Sequence, residues 1–206
     1  MEKERTSRII AIVALVIAVV GVSIGFAAFN ATLTISGGKV TGTQAANDFK
    51  PNLTIVGVSC NGAEGKYNAG SISSDKFQWS GASVNVSSKD EEITCTATVK
   101  NNSSYIAYLD SIELNGNITC GATSTSGQNI AAACAGLELE VHGNVNAVAT
   151  ATTSSHTNAT NLTGDYIAAG ETGEISFTVT YTSSVVLDAD YTATLPTMTF
   201  NYSTVD

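Results

Sequence analysis

Ile93-Thr94-Cys95-Thr96-Ala97-Thr98-Val99-Lys100 alternates apolar and polar residues without a break. A period of two is what a β-strand requires when one of its faces packs into a core and the other meets water. The same alternation returns at Ile175, Phe177, Val179 and Tyr181, set between Ser176, Thr178 and Thr180, and at Leu137, Leu139 and Val141, set between Glu138, Glu140 and His142. Asn101-Asn102-Ser103-Ser104 ends the first of these strands in a turn. Tyr105 to Leu109 begins the next, which Ile112 and Leu114 carry to a turn at Asn115-Gly116.

Leu53 to Cys60 is a further strand, and Gly57 inside it predicts a bulge or a close backbone approach. Phe77 and Trp79 share a face of a short strand, with Val84 and Val86 continuing after Gly81. Ile167 to Gly173 reads as a turn, and Tyr191 to Tyr202 as a final strand interrupted by Leu195-Pro196. Lys39 to Lys50, Asn61 to Asp75, Cys120 to Gly136 and the Ala/Thr/Ser/Asn stretch from Ala147 to Thr163 read as loops, with one helical turn at Ile130-Ala131-Ala132-Ala133. About eight to ten short strands with turns between them predict an all-β fold, a β-sandwich or jelly roll, preceded by one N-terminal hydrophobic helix.

That helix is the apolar run Ile9 to Phe29, which follows a leader of residues 1–8 carrying Lys3, Arg5 and Arg8. Its helical length, about 31 Å, matches the hydrocarbon thickness of a bilayer. The basic leader places the N-terminus inside and residues 30–206, an extracellular β-sandwich domain, outside. The run also fits a cleavable signal peptide, with Gly25-Phe26-Ala27 as the small-x-small triplet and Ala28 as the new N-terminus. Both readings stand: a single-pass membrane protein, or one secreted to the cell surface after cleavage. Beyond the junction, Phe29, Ala31, Leu33 and Ile35 alternate with Asn30, Thr32 and Thr34, a strand with one apolar face.

Composition narrows the function. Only nine basic residues against eighteen acidic ones, a net charge of -9 in 206 residues, exclude nucleic acid as an expected partner and disfavour anionic lipid surfaces. The four cysteines, Cys60, Cys95, Cys120 and Cys134, all lie in the exported part, where disulfides persist. Of three pairings, Cys60 with Cys95 and Cys120 with Cys134 is favoured, because the first two sit in strand-like runs and the second two close a short Gly- and Ser-rich loop. No CxxC pair supports zinc, and the isolated His142 and His156 support no other metal.

No HExxH, G-x-S-x-G or phosphate loop is present, so no catalytic residue, cofactor or enzymatic activity is expected. Glu138 and Glu140 read as the wet side of a strand. Trp79, the only tryptophan, is a core aromatic or a stacking platform for a ligand, and Tyr67 is a loop contact for the same purpose. Asn-x-Ser/Thr triplets at Asn52, Asn85, Asn117, Asn158 and Asn161 are candidate glycosylation sites.

The junction Ser23-Ile24-Gly25-Phe26-Ala27-Ala28-Phe29-Asn30-Ala31-Thr32-Leu33, with the segments Val99 to Ser104 and Ala169 to Val179, resembles the TasA/camelysin group of exported surface proteins. The resemblance covers about a third of the chain. It departs at Phe29-Asn30-Ala31, where that group has Phe-Ser-Asp, and in the four cysteines. It implies a signal peptide cut by a dedicated peptidase, a jelly-roll body, and self-assembly into fibres in which the strand from Phe29 to Ile35 completes the sheet of the next subunit. Against it stands a membrane-anchored adhesin or ligand-binding β-domain.

Overall fold

The computed structural model describes residues 30–36, 39–40, 49–86, 88–122, 130–160, 162–184 and 191–204. The leader, the apolar run, and the junction residues Gly25, Ala27, Ala28 and Phe29 lie outside them. Among the described residues no helix is long and apolar enough to cross a membrane.

Two antiparallel six-stranded sheets share one hydrophobic core, the layering of a β-sandwich. The first sheet carries β1 (Asn30–Ser36), β2 (Lys39–Val40), β9 (Ala107–Asn115), β14 (Ala159–Thr160), β15 (Tyr166–Ile167) and β18 (Thr197–Ser203). Its order is β14-β9-β18-β1-β2, with β15 also on β9. The second runs β13-β12-β11-β16-β8-β3. Its strands are β3 (Leu53–Asn61), β8 (Glu91–Asn101), β11 (Leu137–His142), β12 (Val148–Ala151), β13 (His156–Thr157) and β16 (Thr172–Tyr181). Three small ribbons complete the strands: β4 (Tyr67–Asn68) with β7 (Ser83–Val84), β5 (Ser71–Ile72) with β6 (Trp79–Ser80), and β10 (Thr119–Ala122) with β17 (Tyr191–Thr194). A 3-10 turn at Lys50–Asn52 and a short helix α1 (Ile130–Cys134) are the helical elements described.

The alternation that announces β8 is borne out residue by residue. Ile93, Cys95, Ala97 and Val99 are buried while Thr94, Thr96, Thr98 and Lys100 are only partly covered. In β16 Ile175, Phe177, Val179 and Tyr181 are buried in the same way, and the two strands run in register from Thr172 opposite Lys100 to Tyr181 opposite Glu91. Burying each large apolar side chain stabilises the fold by about 1.5–3 kcal/mol, which makes this central pair the backbone of the core. At Gly57 the register with β8 shifts and Val56 turns outward, so the expected bulge is present.

Other expectations need correcting. Ala147 to Thr163 is not a plain loop: it contains β12, β13 and β14, with Ala147, Ala149, Ala151 and Ala159 buried. A period of two built on alanine and threonine has little hydrophobic contrast and is easily taken for low complexity. Cys120 to Gly136 and Asn61 to Asp75 likewise contain short strands, β10 in one and β4 and β5 in the other. The interruption at Leu195-Pro196 is a change of partner, since β17 before it pairs with β10 and β18 after it with β9 and β1. Proline has no N–H to give a ladder and fits such a break.

Both disulfides join the favoured pairs. Cys60 and Cys95 face each other across β3 and β8 at a Cα–Cα distance of 4.0 Å, and Cys120 on β10 is tied to Cys134 on α1 at 6.3 Å.

Candidate functional site

One end of the sandwich is built by three loops whose shapes are set from inside. β8 stops at Asn101, a wholly buried side chain. Its Nδ2 donates to the carbonyls of Tyr105 (2.8 Å), Ile167 (3.0 Å) and Ala168 (3.3 Å). Its Oδ1 accepts from the Ser103 amide at 3.1 Å and the Ser103 hydroxyl at 2.7 Å. The Asn101 amide donates to the Glu171 carbonyl, the Gly170 amide to the Asn101 carbonyl, and Lys100 Nζ to the Gly170 carbonyl. The two segments Val99 to Ser104 and Ala169 to Val179 thus lie side by side, knotted through one asparagine that uses both ends of its amide.

The second support is Asp165, also buried. It follows a turn at Gly164, whose φ of 85° suits glycine. Its Oδ1 accepts the Val145 amide at 2.9 Å, and its Oδ2 accepts the amides of Asn146 (3.1 Å) and Ala147 (2.9 Å). A carboxylate receiving three backbone N–H groups holds the β11–β12 turn by charge-assisted hydrogen bonds, stronger than neutral ones. Gly143 opens that turn because a Cβ there would lie 2.6 Å from Leu109 Cδ2 and 2.9 Å from Asp165 Oδ2. Asn144 then links the turn outward, donating to the Tyr166 carbonyl at 3.0 Å and accepting the Glu174 amide at 3.0 Å.

Beneath these loops Tyr202 is fully buried, and among the described residues its hydroxyl meets no hydrogen-bond partner. Burial, and after it the charge of Asp165, pushes the phenol above its ordinary value. On the neighbouring surface Asp110 accepts the Ser203 hydroxyl at 2.8 Å, and loss of water raises its carboxyl above the usual range against that hydrogen bond.

Among the side chains this frame displays, beside the exposed carboxylates of Asp110, Glu171 and Glu174, is an apolar and aromatic set. Tyr105 (49% exposed), Ile106 (39%), Val145 (61%) and Tyr166 (46%) stand out on the three loops and the first residue of β15. Tyr166 leans on Tyr108 with ring centroids 6.0 Å apart. No family model, no curated protein and no solved structure matches this chain. Preorganised loops presenting aromatic and aliphatic side chains, with no cluster of acids and bases among them, suit contact with a surface.

The residues singled out by sequence are dispersed. Trp79 is in the core, not on the surface as a stacking platform: it is wholly buried, its Nε1 donates to the Ala69 carbonyl at 2.6 Å, and its ring lies 5.3 Å from that of Phe177. Tyr67 is exposed on β4 at the opposite end of the sandwich from Asn101, near the β8 residue Ile93, both of them within reach of a Cβ on Gly62. Glu138 and Glu140 are exposed on β11, with His142 Nε2 3.4 Å from Glu140. Among the described residues no group of three or more His, Cys, Asp or Glu could hold a metal ion.

Ala31, Leu33 and Ile35 stand opposite Tyr202, Phe200 and Met198 in the ladder of β1 with β18. Of the Asn-x-Ser/Thr positions, Asn85 is exposed, Asn117 contacts His156 Nδ1 at 2.7 Å, and Asn158 accepts the Leu114 amide at 2.8 Å. The loop display escaped sequence reading because Tyr105-Ile106 reads as the start of a strand, and Val145 and Tyr166 belong to stretches with no visible alternation.

Proposed function

We propose that the chain is an exported, cell-surface structural protein of the TasA/camelysin kind, with a jelly-roll body, assembled into fibres by donation of its N-terminal strand. The observation that carries this reading is the β1–β18 ladder, seven residue pairs from Asn30 opposite Ser203 to Ser36 opposite Thr197. β1 comes first in the described chain and meets the last strand of the body, so the same ladder can be made by a β1 from another copy with no change of register. The contact is heterologous, and such contacts extend head to tail. Two disulfides support an oxidising, extracytoplasmic location. Cleavage after Ala27 frees the strand; an intact Ile9–Phe29 run keeps the domain tethered to the membrane.

The test uses the register. Chains carrying Thr34→Cys are mixed with chains carrying Thr199→Cys, two positions that face each other across the ladder. Strand donation gives covalent dimers that dissolve on reduction, and mass spectrometry of the assembled material finds Ala28 as the first residue. If the mixture stays monomeric while the double variant closes within one chain, donation is wrong.

A membrane-anchored extracellular adhesin or ligand-binding β-domain is the second reading, favoured by the exposed Tyr105, Ile106, Val145 and Tyr166. Loss of glycan binding in Tyr166→Ala with the fold intact supports it.

A further inference from the structure

The strand register fixes which end of the sandwich faces the start of the chain. Asn30 stands opposite Ser203, Ser203 opposite Tyr108, and Tyr108 opposite Tyr166, one rank across four strands. At about 4.8 Å per strand the rank is about 14 Å wide, with Asn30 and Tyr166 level along the strand axis. The turn from Asn102 to Ile106 leads into β9 at this level, and the turn from Gly143 to Ala147 is bound to Asp165, one residue before Tyr166. The apolar run of the sequence ends at Phe29, the residue before Asn30. Consecutive Cα atoms are about 3.8 Å apart, so there is no linker.

The same end carries most of the exposed large apolar side chains found among the described residues. Of the seven, Tyr105, Ile106, Val145, Val148 and Tyr166 are here, while Val56 is on the edge strand β3 and Tyr67 at the far end. Asn101, Ser103 and Asp165 hold the loops that carry them, so these side chains do not fold back into the core. Tyrosine is enriched where a protein meets the headgroup zone, its ring in the apolar layer and its hydroxyl in water. The carboxylates nearby, Asp110, Glu171 and Glu174, disfavour an anionic lipid surface.

We propose that this end of the domain, through Tyr105, Ile106, Val145 and Tyr166, is seated in the interfacial zone of a bilayer of uncharged or zwitterionic headgroups while the chain is held by Ile9–Phe29. The inference rests on the membrane-held form described above. It makes the sandwich an upright body standing directly on the membrane, its strands close to the bilayer normal and its far end, with Tyr67, pointing away.

Full-length chain in phosphatidylcholine vesicles containing a headgroup-proximal photoactivatable lipid tests it, with cross-linked peptides mapped by mass spectrometry after flotation. Cross-links on the peptides of Tyr105–Ile106, Val145 and Tyr166, and none on that of Tyr67, are expected. The double variant Ile106→Asp with Val145→Asp, both at exposed positions, should lower the Tyr166 cross-link several-fold while the circular dichroism stays native. A chain that floats but is cross-linked only within residues 9–29, or equally at Tyr67, overturns this inference and leaves the anchor standing. A chain that does not float overturns both.

Discussion

Replacing Asp165 by asparagine removes a charge and one acceptor while keeping the shape of the side chain. In the native protein Oδ2 serves two amides, at 3.1 and 2.9 Å, and Oδ1 serves a third at 2.9 Å. The best placement of an asparagine keeps its oxygen toward Asn146 and Ala147 and turns its NH2 against the Val145 amide. One bond to a charged acceptor, about 1.5–3 kcal/mol, is lost, and two others weaken to the neutral range of about 0.5–1.5 kcal/mol. Release of a buried charge offsets part of this, leaving a destabilisation of about 3 kcal/mol, or a fall of about 9 °C in melting temperature for a domain of this size. Thermal unfolding followed by circular dichroism at pH 7 without reductant measures it, and amide exchange at residues 145–147 should accelerate before the rest of the sheet. A shift below about 2 °C with unchanged exchange would refute the claim that this carboxylate holds the turn.

Other outcomes follow from the same structure. Tyr202→Phe removes a buried hydroxyl with no partner among the described residues and should raise stability by about 1 kcal/mol, read as a higher urea midpoint; a lower midpoint shows that the hydroxyl is satisfied. Loop closure over 35 residues makes the Cys60–Cys95 bridge worth about 3.8 kcal/mol, and closure over 14 makes Cys120–Cys134 worth about 3 kcal/mol, so the paired serine variants should rank in that order in urea melts. The Ser73 hydroxyl and then the Phe77 amide hold the Asp75 carboxyl below its ordinary value. A depressed carboxyl contributes its stability above its unfolded value and loses it as pH falls through the lower folded one. The Phe77 amide resonance should titrate in that acid window in the native protein and not in Asp75→Asn.

The sequence made the central strands legible because β8 and β16 bury large residues at every second position, so local pattern and tertiary burial agree. The disulfide pairing was legible for a related reason: Cys60 and Cys95 fall on two strands that the pattern already called for. Alanine strands such as β12 were hidden, since their burial depends on how closely the sheets approach and not on side-chain size. Trp79 shows the limit from the other side. Whether a lone tryptophan stacks on a ligand or on Phe177 is decided by a strand nearly a hundred residues away. The looped end was invisible for the same reason, because Asn101 and Asp165 are ordinary polar residues until the chain returns to bring carbonyls and amides around them.

The ladder between β1 and β18 has a mechanical consequence. Its hydrogen bonds run across the strands, and Asn30, the first residue of β1, lies at one end of the strand axis. Tension drawn through the N-terminus in that direction loads the rungs together, in shear, whereas a sideways pull would open them one after another like a zipper. Were the chain a fibre subunit or a domain held on its tether, as proposed above, a pull along that axis would meet the geometry that best resists tearing.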